Sequence, residues 1–268
     1  MTLAKLRSFC RSQFFTQIIV SFSLAWVSTF VSVDASAREF DFKTAKVSTY
    51  FGGSYGTTSL AATPYNLASG NGVSTDKKSS TGASGEVGLA FTSEKICMRL
   101  GVEILVPSHQ SQINGTNSSG TNYFSLDSQT LAYVPGVSFE YLAYRDSDSH
   151  ALLGFGLGYA FVTLQNKYAM TAAGQSALGV GSYTEAAHAQ TMAAQVYSGY
   201  EINFTDMVTA SFKLGYRYLP VTSLKSTQSS TTISGAETDG STLVNMDGGN
   251  RRLNLSGVFV GVSFNFYL

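Results

Sequence analysis

The chain has 268 residues whose 17 basic and 17 acidic side chains cancel, and charged residues make up 13% of it, about half the ~25% of an ordinary soluble domain. So little charge covers a water-exposed surface poorly, yet 15 Tyr and 18 Phe are too many aromatics for a disordered chain. Zero net charge without a basic block excludes a nucleic-acid binder, and no apolar run in the body of the chain nears the ~20 residues of a membrane helix.

Residues 1–37 read as a cleaved secretory signal. Lys5, Arg7 and Arg11 precede an apolar stretch around Ile18 to Val33, and Ala35-Ser36-Ala37 supplies the small-x-small cleavage site. Cleavage after Ala37 leaves residues 38–268 as one domain, slightly acidic because three bases and only Asp34 depart. Cys10 goes with the leader, and its place before the apolar stretch does not suit lipid attachment. Cys97 then stands alone, so no internal disulfide is expected.

From there the hydrophobic period is 2 in nearly every segment. Weaker alternation runs from about Lys46 to Tyr55 and from about Ala83 to Phe91. Ile96, Met98, Leu100, Val102 and Ile104 then alternate with Cys97, Arg99, Gly101 and Glu103. Leu131, Tyr133, Val137, Phe139 and Tyr141 form the fourth apolar face, opposite Gly136, Ser138 and Glu140. In the fifth, Leu153, Phe155, Leu157, Tyr159 and Phe161 are separated by Gly or Ala. Runs from Met192 to Phe204, Val208 to Tyr218 and Val258 to Leu268 complete eight strands.

The connections alternate in length. Ser93-Glu94-Lys95, Arg145 to Ser149 and Thr205-Asp206 are tight turns. Stretches of about Thr57 to Ser80, Ser108 to Asp127, Gln165 to Gln190 and Thr222 to Asn254 are long and rich in Ser, Thr, Gly and Asn. All long loops therefore fall at one end. This is the plan of an all-β, eight-stranded, antiparallel up-and-down transmembrane barrel with four long outer loops and three short periplasmic turns, placed in a bacterial outer membrane.

Polarity sets which face is inside. One side of each strand is bulky and apolar; the other carries glycines and the charges. An eight-stranded interior is just wide enough to be filled by side chains, so the small, ionic side belongs within and the bulky side meets hydrocarbon. Runs of about 10 residues match the ~9–11 that a tilted strand needs to cross. Interface aromatics are expected at Phe91, Phe139, Tyr141, Phe204, Phe264 and Phe266 below and at Tyr55, Tyr133, Tyr159 and Tyr218 above. Pro135 is placed at the upper rim.

By this pattern the chain resembles the small outer-membrane barrels of the OmpA transmembrane-domain, OmpX and Ail type. The ending Val258-x-Val260-x-Val262-x-Phe264-x-Phe266-x-Leu268 also resembles the signal recognised by the barrel-assembly machinery. The resemblance implies that Phe264, Phe266 and Leu268 serve assembly, although the pattern usually ends on Phe or Trp.

Parity assigns Lys46, Glu86, Arg99, Glu103, Glu140, Glu201, Lys213 and Arg217 to the lumen, acids balancing bases. Such a set acts as a structural plug or as a gate whose pairs exchange partners. His109-Gln110-Ser111 resembles the His-x-Ser of lipid A deacylase barrels, but it lies on an early strand and reads as a surface loop. His150 is placed in a periplasmic turn and His188 in loop three, with no metal-ligand spacing. No catalytic, cofactor or metal residue is assigned. Arg251 and Arg252 close loop four and are expected to meet lipopolysaccharide phosphates. The expected role is a non-enzymatic outer-membrane protein that presents its loops to an extracellular protein or glycan, with lipid and lipopolysaccharide around it. The alternatives are a narrow porin-like channel and a lipid A-modifying enzyme.

Overall fold

The computed structural model describes residues 47–58, 73–75, 81–93, 95–107, 110–146, 148–205 and 207–267. The expected leader at residues 1–37, Lys46, His109 and Leu268 lie outside these residues. So does the Ser111 side chain.

Eight long strands form the frame: β1 (Val47–Thr57), β2 (Thr81–Thr92), β3 (Ile96–Pro107), β4 (Asn122–Arg145), β5 (Ser149–Met170), β6 (Tyr183–Thr205), β7 (Val208–Tyr218) and β8 (Gly257–Tyr267). Each pairs antiparallel with its neighbours in sequence. The ring closes where β1 meets β8, from Ser48 opposite Tyr267 to Gly56 opposite Phe259. Closure leaves no edge in the ring, which is what a strand structure needs in hydrocarbon, where each unpaired backbone group costs several kcal/mol. The turns at one end are tight: the Ser93 N–H donates to the Ile96 carbonyl at 2.8 Å, and the Asp146 N–H to that of Ser149 at 2.8 Å.

The faces follow the sequence parity. Phe51, Val87, Leu100, Phe155, Leu157, Phe212, Leu214 and Val260 point away from the barrel and are exposed on its outside. The lower aromatic belt clusters as rings: Phe51 stacks on Phe266 with centroids 5.4 Å apart, and Phe204 meets Phe264 edge-on at 6.1 Å. The upper tyrosines Tyr55, Tyr133, Tyr159 and Tyr218 are likewise exposed. Pro135 faces outward inside a continuous strand rather than at its end, where the β4–β5 register passes from Tyr133 opposite Phe161 to Gly136 opposite Gly158.

Strands β4, β5 and β6 have 24, 22 and 23 residues, about twice what a crossing needs. Loops two and three, expected as irregular Ser/Thr-rich segments, are therefore largely strand. The surplus rises beyond the upper tyrosines as a wall, and residues Gln110–Thr116 add to its β4 side. A helix, α1 (Ala172–Leu178), closes the β5–β6 connection, with Thr171 Oγ1 capping it by accepting from the Gly174 N–H at 3.1 Å. Gly174 is required there: a Cβ would stand 1.9 Å from the Tyr123 carbonyl oxygen.

Above the tyrosines the polarity inverts. On β5 the inward positions continue as Val162, Leu164, Tyr168 and Met170, all buried, while Thr163, Gln165, Lys167 and Ala169 are exposed. Loop four (residues 219–256) dips into this half of the barrel. Its Leu219, Val221, Leu224, Leu243, Leu253 and Leu255 pack with Leu105, Val134, Val162 and Leu164 of the wall in one apolar cluster. A second cluster higher up joins Ile113, Phe124, Leu126, Tyr168 and Met170. The outer end is thus a water-type core, apolar inside, standing on a membrane-type barrel.

Candidate functional site

Two polar assemblies lie inside the barrel, one at membrane depth and one above it. In the lower, Arg99 on β3 is the hub. Its Nε stands 2.8 Å from Glu140 Oε1, Nη2 lies 3.5 Å from Glu201 Oε2, and Nη1 donates to Asn265 Oδ1 at 2.9 Å. Its guanidinium also sits 4.8 Å from the centre of the Tyr50 ring. Glu140 takes a second cation, Lys213 Nζ at 2.9 Å, and the Tyr197 hydroxyl donates to it at the same 2.9 Å. The lumen has room for these rings because the facing residues are glycines: a Cβ on Gly154 would lie 2.3 Å from the Tyr197 ring, and one on Gly101 2.2 Å from the Tyr50 hydroxyl.

Glu201 is the second centre. It accepts from Ser211 at 2.9 Å, from Tyr267 at 3.1 Å and from Thr209, and His150 Nε2 stands 3.4 Å away. His150, expected in a turn, is therefore a buried strand residue of the lumen, opposite Glu201 in the β5–β6 register. Nearer the middle, Arg217 pairs with Glu103, and the Tyr50 hydroxyl donates to Glu86 at 2.7 Å. All the described members of the lumen set assigned by parity thus face inward. Arg99, Glu140, Glu201 and Lys213 join in one network, to which sequence reasoning had not added His150, Asn265 or Tyr267. Small cavities of about 40 Å³ lie among these side chains, each large enough to hold water.

The upper assembly was missed. Ser128 on β4 donates to Asn166 on β5 at 2.7 Å; Asn166 donates to Glu185 on β6 at 3.1 Å; and Glu185 pairs with Arg251 of loop four. Arg251 also donates to the Val244 carbonyl at 3.1 Å and lies 3.8 Å from Glu237 Oε1. Arg251 is 0% exposed, which corrects its expected contact with lipopolysaccharide: a guanidinium enclosed by two carboxylates inside the barrel mouth does not reach lipid. Arg252, one residue on, is exposed. The signal was present, because Arg251, Leu253 and Leu255 share the odd parity of the inward β8 residues Phe259, Ser263 and Asn265. Burial pushes the Glu237 carboxyl up to about 7, with neighbouring Glu185 adding to the shift.

Outside the upper wall lies a recess of about 480 Å³ bordered by Ser125, Asp127, Lys167, Ala169, Ser182 and Thr184. The strand register places Asp127 opposite Lys167, and Lys167 opposite Thr184. Among the described residues, no group of three or more His, Cys, Asp or Glu is arranged to hold a metal ion.

A closed eight-stranded ring with an apolar exterior, an ionic lumen and long extensions at one end is a transmembrane β-barrel of the bacterial outer-membrane type. Several solved outer-membrane proteins are distantly similar to the chain. The chain is 13% identical to the outer membrane protein OprG from Pseudomonas aeruginosa, covering 84% of this chain and 97% of that one with a TM-score of 0.44. It is 8% identical to the attachment invasion locus protein Ail of Yersinia pestis, over 83% and 100% of the two chains, TM-score 0.41. Neisserial surface protein A matches at 10% identity over 82% and 97%, TM-score 0.39. No family model and no curated protein matches the sequence.

Proposed function

We propose that this protein is a non-enzymatic surface protein of the outer membrane that presents its elevated wall to an extracellular glycan or protein. The observation that carries the reading is the packing of the outer half. Two apolar clusters and a buried ion-paired chain fix loops that would otherwise be hydrated coil, and a rigid surface loses less entropy on binding a partner. The recess at Asp127, Lys167 and Thr184 offers charge-assisted and hydroxyl hydrogen bonds of the sort that orient a sugar or a polar peptide. The ion pairs inside the lumen, from Arg99 to Glu140 and Glu201 and from Lys213 to Glu140, speak against steady solute passage.

Lipopolysaccharide around the upper tyrosines and the assembly machinery, through Phe264 and Phe266, are the further partners this role entails. Arg252 is the remaining loop-four arginine for the lipopolysaccharide contact. The test is binding of refolded protein in lipid nanodiscs to a glycan and matrix-protein array, set beside an Asp127→Ala/Lys167→Ala variant. Specific spots that the variant loses are expected. Binding that the variant retains, or regular unitary conductance of the wild type in planar bilayers, would overturn the reading.

A further inference from the structure

Loop four is anchored in two different ways. Its stem is held by backbone pairing, Pro220 opposite Asn254 and Val221 opposite Leu253, and by the Leu219 N–H donating to Ser256 Oγ at 2.9 Å. Its outer part touches the wall through Lys225 and Ser226, which pair with His188 and Ala187 of β6, through the Thr227 N–H donating to the Ala186 carbonyl at 2.9 Å and Gln228 Nε2 to the Thr184 carbonyl at 2.6 Å, and through Arg251. The leucines between these anchors occupy the mouth of the barrel without covalent or metal attachment. They cover small side chains of the wall in the same cluster, including Ala132, Ala160, Ala189 and Ala193.

We propose that loop four is a pH-set hatch, bolted into the barrel mouth by Arg251 between Glu185 and Glu237 in acid and loosened as the medium turns alkaline. One guanidinium faces two buried carboxylates. With Glu237 protonated, the Glu185–Arg251 pair is neutral, and the Glu237 carboxyl still accepts from Thr232 Oγ1 at 3.3 Å. With Glu237 ionised, the same space holds a net negative charge away from water, a costly arrangement. The titratable groups facing Glu237 are Glu185 from β6, Tyr168 from β5 and Arg251 from the loop itself. The shift from the ordinary 4.5 to about 7 fixes the direction. A carboxyl whose value rises on folding gives a stabilisation that is complete below about 4.5 and lost as pH climbs through about 7. The stem and the ring strands do not depend on this group, so the effect falls on the hatch.

The experiment uses a single cysteine placed under the hatch. Ala189→Cys in a Cys97→Ser background is refolded in nanodiscs and reacted with a charged maleimide. Rates are divided by those of an exposed Gln165→Cys reference at each pH. A shift of this size predicts normalised labelling at least about tenfold faster near pH 8.5 than near pH 5. Glu237→Gln is expected to stay slow at both pH values and Arg251→Met to be fast at both. Should Arg251→Met fail to fold, seen as loss of the heat-dependent gel shift, the Glu237→Gln arm decides alone. Equal normalised rates at the two pH values, or a Glu237→Gln protein with the full pH dependence, would overturn the proposal.

Discussion

The two halves of this barrel solve opposite solvent problems with the same strands. At membrane depth, β5 turns Leu153, Phe155 and Leu157 outward and keeps Gly154 and Gly156 within; ten residues later it turns Gln165 and Lys167 outward and buries Leu164, Asn166 and Tyr168. The backbone parity never changes along the strand, only the side that is greasy. Where hydrocarbon surrounds the ring, bulky residues outside satisfy the lipid and the ions must satisfy each other. Where water surrounds it, the hydrophobic effect pulls apolar groups inward as in any soluble domain. Both halves contain a buried arginine between two carboxylates, yet Arg99 joins only ring strands, whereas Arg251 joins the ring to a loop that can retreat into water.

That contrast predicts a hierarchy of damage. The largest effect belongs to Glu140→Leu, which leaves Arg99 and Lys213 without their shared carboxylate. Removing one side of a buried pair costs about 3–5 kcal/mol, and a urea titration of the heat-dependent gel shift should show the midpoint fall sharply. Glu185→Leu, the matching change above the membrane, should leave that midpoint near wild type while exposing loop four to protease. If both variants lose the ring equally, the halves are not separable.

Next comes the lipid face. Leu157→Arg puts a charge near mid-membrane and should cost about 2–4 kcal/mol in lipid refolding assays. Thr171→Ala removes the cap of α1, where Thr171 also donates to the Asn122 carbonyl at 2.8 Å. It should cost about 1 kcal/mol, measurable as faster amide exchange over residues 172–178 with the ring untouched. Smallest of all is Gln165→Arg, eight residues above Leu157 on the same outward face, expected within about 0.5 kcal/mol of wild type. A large loss there would mean that hydrocarbon extends higher than the tyrosine belt.

Much of this was legible from residue order. Strand number, turn positions, the outward set and the inward charges all follow from a period of 2 joined to an interior too narrow for anything but small or paired side chains. The boundaries of β4, β5 and β6 were not, because a composition rich in Ser, Thr, Gly and Asn reads as loop even where Tyr168, Leu126 and Phe124 keep strict alternation and are buried. Following parity past the point where the apolar side switches would have recovered those segments and, on β8, Arg251. His150 was misplaced for a related reason: the tight turn at Asp146 begins and ends sooner than residue type suggests, so the histidine already lies in the ladder.

The sequence by itself determined the ring, because alternating polarity over eight runs has no other closed solution in lipid. It also marked Glu86, Arg99, Glu103, Glu140, Glu201, Lys213 and Arg217 as inward-facing charges. Only the tertiary structure decided who pairs with whom: Arg99 reaches Glu140 on the adjacent strand and Glu201 across the lumen, and ion pairs depend on distances that strand tilt and register set. The folding of loop four into the mouth was decided there too, since its leucines are too scattered along the chain to mark a core until the walls of the barrel bring them together.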